Sequence, residues 1–395
     1  MNLFTARLTG KMLSTEQFEK LIKEMQECVI RWRQIEKSPE LAEYKELKSK
    51  VESPEFQAKK KEINDRKYKD TDEGKKMAAY KRLSSKWSKY NNAGSFTLFK
   101  NLYVLTPTEL EQLKALEAEI ATDDFKKRNA FWEDKKRWTQ TEEYQIEKRY
   151  NELANSDDIK FFFKQRAQKI DWAELFRPAF DDDMSSSKNW KPGFGYNNPA
   201  LKDGHSYASE LQAYNHGKNT IFADGRMDIE TRNANITAVA WDEKKGFIER
   251  NFNFTSDVMN TKEAFAQEEG LFVAKVRSQG AGHHFLGLSN GKNKDPHPAL
   301  YHYDGDIHWM GLENGKNSQR AKLTGVLRSM YHIYSLRWTK TELIWYVNNM
   351  EVLRIPNHLP KEKMFMLAQS FLPANEKAGE GKLKVQWVRI YRSVD

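Results

Sequence analysis

Through the first 170 residues apolar positions recur at helical intervals, as at Phe18, Leu21, Ile22, Met25 and Val29, amid many Lys, Glu, Leu and Ala. From about Asp171 the interval shortens to two. Asn219-Thr220-Ile221-Phe222, then Asp224-Gly225, then Arg226 to Arg232 reads as strand, turn and strand. Gly270–Val276, His332–Trp338, Leu343–Val347, Val352–Ile355, Met364–Gln369 and Leu383–Tyr391 continue in kind. Glycine follows the same division: Gly10, Gly74 and Gly94 precede Gly193, after which glycine recurs at turn-like spacing. The expected architecture is an all-α region of helical repeats or a stalk (1–170), followed by an antiparallel β-sandwich of jelly-roll type (171–395).

The helical region carries a recurring start signal. Ser38-Pro39-Glu40, Ser53-Pro54-Glu55, Thr71-Asp72-Glu73, Thr106-Pro107-Thr108-Glu109, Thr122-Asp123-Asp124, Thr141-Glu142-Glu143 and Ser156-Asp157-Asp158 each place a hydroxyl at an N-cap, with proline or acids in the first turn. Starts at 38, 71 and 106 stand 33 and 35 apart, and those at 122 and 156 stand 34 apart, which suggests a degenerate repeat of helical-hairpin length. Such regions present surfaces or set spacing, so a protein partner or self-association is expected there. The apolar run Phe96 to Leu105, after Asn91-Asn92-Ala93-Gly94-Ser95, fits the helical period poorly and reads as a crossover packed against the repeats.

Pro296 to Trp309 gathers aromatic, histidine and acidic residues around Asp304-Gly305, a turn-prone pair, and reads as a hairpin or bulged strand. Its acids Asp304 and Asp306, which flank Gly305, are those of a hairpin tip. Phe180-Asp181-Asp182-Asp183 reads as an exposed turn in preference to a calcium loop, because calcium needs several converging oxygens. His283, His284, His297 and His302 could suggest a metal, but neighbouring strand residues point to opposite faces, so no metal site is assigned.

Charge changes this picture little. The formal net charge is +9, but 56 acids interleave with 65 bases, and no zinc-finger spacing, aromatic RNA-binding motif or basic block argues for nucleic acid. Cys28 is the single cysteine, which excludes an intrachain disulfide. The first residues lack the apolar core of a secretory leader, and no apolar run approaches the ~18 residues a membrane span requires. A soluble chain is expected, in the cytoplasm or as part of a surface or virion assembly.

Several segments, in order, resemble glycoside hydrolase family 16, the laminarinase-like group with a concanavalin-type jelly roll. Phe180-Asp181-Asp182 with Trp190, Glu210-Leu211-Gln212-Ala213-Tyr214, Asn219 with Asp224 to Ile229, and Gly270 to Arg277 are similar to successive family segments. Tyr331 to Trp338 with Ile344 to Asn349 is the most specific, and Gln386 to Tyr391 closes the series. The resemblance covers about 171–395 and none of the helical region. It implies β-glucan chemistry on one strand of pattern E-x-D-x-E or E-x-D-x-x-E. Setting Asp304 on the final Glu puts Ala299 and Tyr301 on the first two acids, so the nucleophile and its helper are expected to be missing. The family's structural calcium is not expected either, since Gln386 replaces its aspartate, and no cofactor is assigned.

What the resemblance implies is therefore a non-catalytic polysaccharide-binding domain on a helical spacer. Its candidate sugar contacts are Tyr214, His284, Tyr301, Tyr303, Trp309 and Gln369 in the groove, with Tyr196 and Trp241 on flanking loops. Asp304 is the one acid assigned to the family's acid/base position. Two alternatives stay open: a β-glucan hydrolase with displaced carboxylates, and a structural assembly protein whose jelly roll contacts a protein.

Overall fold

The computed structural model describes residues 3–167, 178–196, 205–292 and 296–392. Its helices are α1 (Leu3–Leu8), α2 (Thr15–Glu36), α3 (Pro39–Val51), α4 (Pro54–Asp65), α5 (Asp72–Asn92), α6 (Thr97–Leu102), α7 (Pro107–Ala121), α8 (Asp123–Glu133), α9 (Glu142–Asn155) and α10 (Asp157–Ala167). The contacts group Met1–Ile30 with Ile170–Asp395 as one unit and Arg31–Lys169 as a second. That grouping differs from a single division at 170, because the first thirty residues go with the β-rich part.

The expected helix starts are local, and the structure has them. Ser38, Ser53, Thr71, Thr122 and Thr141 each accept the N–H of the residue three positions on. Ser156 does the same for Ile159, and Thr106 with Glu109 closes a reciprocal capping box. The helices then nest. Arg31 of α2 reaches Asp158 of α10, Arg149 of α9 grips Glu43 of α3 with two bonds of 2.8 Å, and Lys60 of α4 meets Glu147 of α9. Nearer the turn, Lys76 and Lys86 of α5 meet Glu119 and Glu109 of α7. An ascending arm and a descending arm thus run antiparallel in one stalk, with α6 at the turn. Arg137 joins the arms from a buried position, donating to the Ile63, Asn64 and Arg66 carbonyls at the end of α4. The Phe96 to Leu105 run does not pack as a crossover. Leu105 joins the Leu83 cluster, but Phe96, Leu98 and Leu102 are 74%, 82% and 68% exposed.

The β-rich unit begins with β1 (Pro178–Asp182), β2 (Lys191–Pro192), β3 (Ser206–Tyr207), β4 (Gln212–Tyr214), β5 (Thr220–Ala223) and β6 (Arg226–Asp242). There follow β7 (Gly246–Ser256), β8 (Val258–Asn260), β9 (Gly270–Gly280), β10 (His283–Ser289), β11 (His297–Asp304) and β12 (His308–Glu313). The last six are β13 (Gln319–Lys322), β14 (His332–Trp338), β15 (Glu342–Val347), β16 (Met350–Pro356), β17 (Phe365–Phe371) and β18 (Gly381–Tyr391). Among the described residues one sheet follows the order β16-β15-β14-β9-β18-β6-β7-β4, and the other β13-β12-β11-β10-β17-β8-β2. Between them lies a core that includes Phe272, Leu286, Leu300, Met310, Trp338, Trp345, Met366 and Val388, all at most 1% exposed. Phe180-Asp181-Asp182-Asp183 is the end of β1 and its turn. Asp182 is buried and accepts Met184 N–H, Asn189 Nδ2 and Trp190 Nε1.

The amino-terminal thirty residues complete this unit. Leu3, Ala6 and Met12 enter the inter-sheet core, while Phe18 and Ile22 of α2 pack on Val273, Ile333, Trp387 and Tyr391. Asn348 Nδ2 donates to the Leu13 carbonyl at 2.9 Å, and Lys275 pairs with Glu19 at 2.8 Å.

Candidate functional site

The outer face of the β13-to-β2 sheet holds a groove, and period two explains who lines it. On β17 the outward residues are Phe365, Leu367, Gln369 and Phe371; on β10 they are His283, Phe285, Gly287 and Ser289, paired across the ladder in that reverse order. On β11 the alternation is reset. Ala299 pairs with Gly311 and His302 with Trp309, so Leu300 and Tyr301 together oppose Met310, and both sink to 0% exposure in the core. The groove-facing residues of β11 are consequently His297, Ala299 and His302.

The groove narrows to a cavity of about 310 Å³, at the lower end of ligand pockets. Phe285, Ser289, His297, His302, Leu367, Gln369 and Phe371 form its floor, with Glu313 and Lys292 at one side. The segments around β2 to β4 supply Phe194, Tyr196, Tyr207 and Glu210. Phe194 and Tyr196 stack 5.1 Å apart, and the Tyr196 and Tyr207 hydroxyls are hydrogen-bonded. Small residues stand side by side in the central cross-strand row, Gly311, Ala299 and Gly287, and the Phe285 ring lies in the space that a side chain at Gly287 would take, 2.4 Å from where its Cβ would be.

The polar groups of the cavity are in distinct electrical states. His302 lies against Trp309, 4.4 Å between centroids, and Phe285; burial, then the nearby His283, holds it well below the usual histidine range. It is therefore neutral, with one ring nitrogen able to donate and the other to accept. Burial pushes Glu210 up to about 8, against the hydrogen bond from Gln212, so this carboxyl keeps its proton at neutral pH. Glu313 instead accepts from Arg320 at 2.6 Å and from Ser318 at 3.1 Å. Burial also pushes Tyr207 up to about 12.

The sequence-derived candidates divide. Gln369 and Tyr196 line the cavity, and Tyr214 and Trp309 belong to the aromatic cluster behind it. His284 and Tyr301 face the other way, into the core: His284 meets the Ser370 hydroxyl at 3.0 Å, and the Tyr301 hydroxyl meets Ser278. Tyr303 packs against the same core under the Arg328 guanidinium, 4.0 Å above its ring. Trp241 is on the β6–β7 ribbon against Phe247, 5.0 Å away, outside the cavity lining. Asp304 ends β11, where its Oδ1 accepts the Ile307 N–H at 2.7 Å, and it too is outside the lining. Sequence reasoning missed Phe194, Tyr207, Glu210, Phe285 and Glu313 as groove residues. Period two from Gln369 along Phe365 to Phe371 points to Leu367 and Phe371, which also line the cavity, but carries no signal for those five.

No curated protein matches the sequence. Among solved structures, the catalytic domain of an endo-1,3-beta-glucanase (laminarinase) from Thermotoga petrophila aligns over 55% of this chain and 98% of its own, at 16% identity and a TM-score of 0.44. An endo-beta-1,3-glucanase from Pyrococcus furiosus aligns over 55% and 95% at 17% identity and 0.44, and LamAcat from Zobellia galactanivorans over 55% and 98% at 16% and 0.44. Residues 285–389, which run from the groove strands to the end of the sandwich, match the family model of glycosyl hydrolases family 16.

Proposed function

We propose that the groove binds a β-glucan-like polysaccharide without cleaving it, and that the helical stalk serves as its spacer. One observation carries the reading: the outward residues of β11 have the spacing of E-x-D-x-x-E, but they are His297, Ala299 and His302. Retaining hydrolysis requires two carboxyl groups about 5 Å apart on opposite sides of the scissile bond. Neither an imidazole nor a methyl group supplies a carboxylate nucleophile. The same surroundings suit binding, because aromatic faces stack on sugar C–H groups while His302, Gln369 and Glu210 offer hydrogen bonds to hydroxyls. The family match over 285–389 supports a glycan-related role.

A second reading has its own observation. Glu210, protonated at neutral pH, and Glu313, held by Arg320, both line the cavity, as a displaced acid and base would. The full-length chain on arrays of β-glucans and other glycans, with reducing ends followed in parallel, separates the readings. The expected result is binding to at least one polymer with no accumulation of reducing ends. Steady oligosaccharide release that Glu210→Gln abolishes would replace it with the hydrolase reading. Failure to bind any glycan would favour an assembly role.

A further inference from the structure

The turn of the helical stalk bears a surface unrelated to the groove. Phe96, Leu98 and Leu102 are 74%, 82% and 68% exposed, and Val104 just beyond is 46% exposed. Scattered exposed apolar residues are ordinary, but a group confined to one hairpin turn marks an interaction surface.

The surrounding chain indicates what it meets. From Gly74 to Thr108 there are seven basic residues, Lys75, Lys76, Lys81, Arg82, Lys86, Lys89 and Lys100, and no acid. Lys76 and Lys86 are engaged by α7, but the two nearest the apolar cap lie over aromatic rings: Lys89 is 5.3 Å from the Tyr103 centroid and Lys100 is 5.6 Å from that of Tyr90. Trp87, 37% exposed, stacks on Tyr90 at 5.6 Å. Exposed Phe and Leu on and beside α6, with Trp87, Tyr90, Tyr103, Lys89 and Lys100 next to them and no acid from Gly74 to Thr108, bring together the three kinds of side chain that suit hydrocarbon, interface and anionic headgroup. A nucleic acid would match the lysines but leave the leucines in water.

We infer that the α6 turn docks on an anionic lipid surface, inserting Phe96, Leu98 and Leu102 while Lys89 and Lys100 meet the headgroups. The six residues of α6 are too few to cross a bilayer, so the contact is superficial. The test is co-sedimentation of the full-length chain with phosphatidylcholine vesicles, with and without phosphatidylserine. Binding is expected only with phosphatidylserine, weakening with salt. The Leu98→Asp/Leu102→Asp double variant, with unchanged circular dichroism, should bind about tenfold less or worse, as should Lys89→Glu/Lys100→Glu. Equal pelleting of variants and parent, or no pelleting by the parent, would overturn the inference. So would a parent dimer in sedimentation velocity that the Leu98→Asp/Leu102→Asp variant abolishes, or retention of parent-level binding to a single-stranded RNA in place of vesicles.

Discussion

His297 and His302 project from the same face of β11 although five positions separate them, because the bulge at Leu300 and Tyr301 turns two consecutive side chains into the core. In an unbulged strand that separation would put them on opposite faces. The strand therefore keeps a geometry fit to aim two groups into one cavity.

That geometry makes a gain of function testable. The triple variant His297→Glu/Ala299→Asp/His302→Glu should release reducing ends from a bound β-1,3-glucan where the parent releases none. A glutamate at 302 would sit between Trp309 and Phe285, an apolar setting that raises a carboxyl pKa toward that of a general acid. A folded, glycan-binding triple variant with no product would show that the register of β11 is insufficient.

Tyr196→Ala should weaken glycan binding by up to about tenfold, the value of one aromatic face of ~0.5–1.5 kcal/mol. Trp241→Ala, outside the cavity lining, should weaken it less. Isothermal titration with whichever polymer binds distinguishes the two, and the reverse order would move the ligand onto the β6–β7 ribbon.

Stability should peak near pH 6.5. Burial pushes His284 and His308 down to about 3 and His332 to about 4, and His302 well below its usual range, so the native state refuses protons the unfolded chain takes. Their contribution is complete above about 6.5 and is lost as pH falls toward those native values, at about 1.4 kcal/mol per pH unit for each fully mismatched proton. Glu210 acts oppositely. Its raised pKa gives a contribution complete below the unfolded value and lost as pH rises through about 8. Thermal unfolding across pH should show both limbs, with His308→Phe flattening the acid side and Glu210→Gln the alkaline side.

Arg137→Ala should strip the end of α4 of three carbonyl partners and cost about 2–4 kcal/mol locally. Hydrogen exchange should accelerate in α4 and α9. Little change there would mean that water replaces the guanidinium at no cost.

What could be read in the sequence was what short range decides. Ser38, Ser53, Thr71, Thr106, Thr122, Thr141 and Ser156 cap helices through residues three positions away, so the pattern sufficed. The strands from Gly270 to Tyr391 were visible for the same reason. The face of each groove residue was not, because the bulge in β11 exists only against β10 and β12. Without it Tyr301 would face the groove, whereas it lies in the core beside Tyr334. The role of residues 1–30 was equally hidden, since their partners lie far along the chain: the Leu3 N–H donates to the Thr324 carbonyl, and the Leu13 carbonyl accepts from Asn348, 335 positions away.

The nested stalk also dictates an order of assembly. Its rungs join residues 23 and 43 positions apart near α6, then 87, 106 and 127 apart toward the other end. Each rung formed shortens the loop that the next must close, so closure is least costly from the turn outward. During synthesis the ascending arm emerges long before its counterparts, and α2 to α4 must wait as single helices until the descending arm zips down onto them.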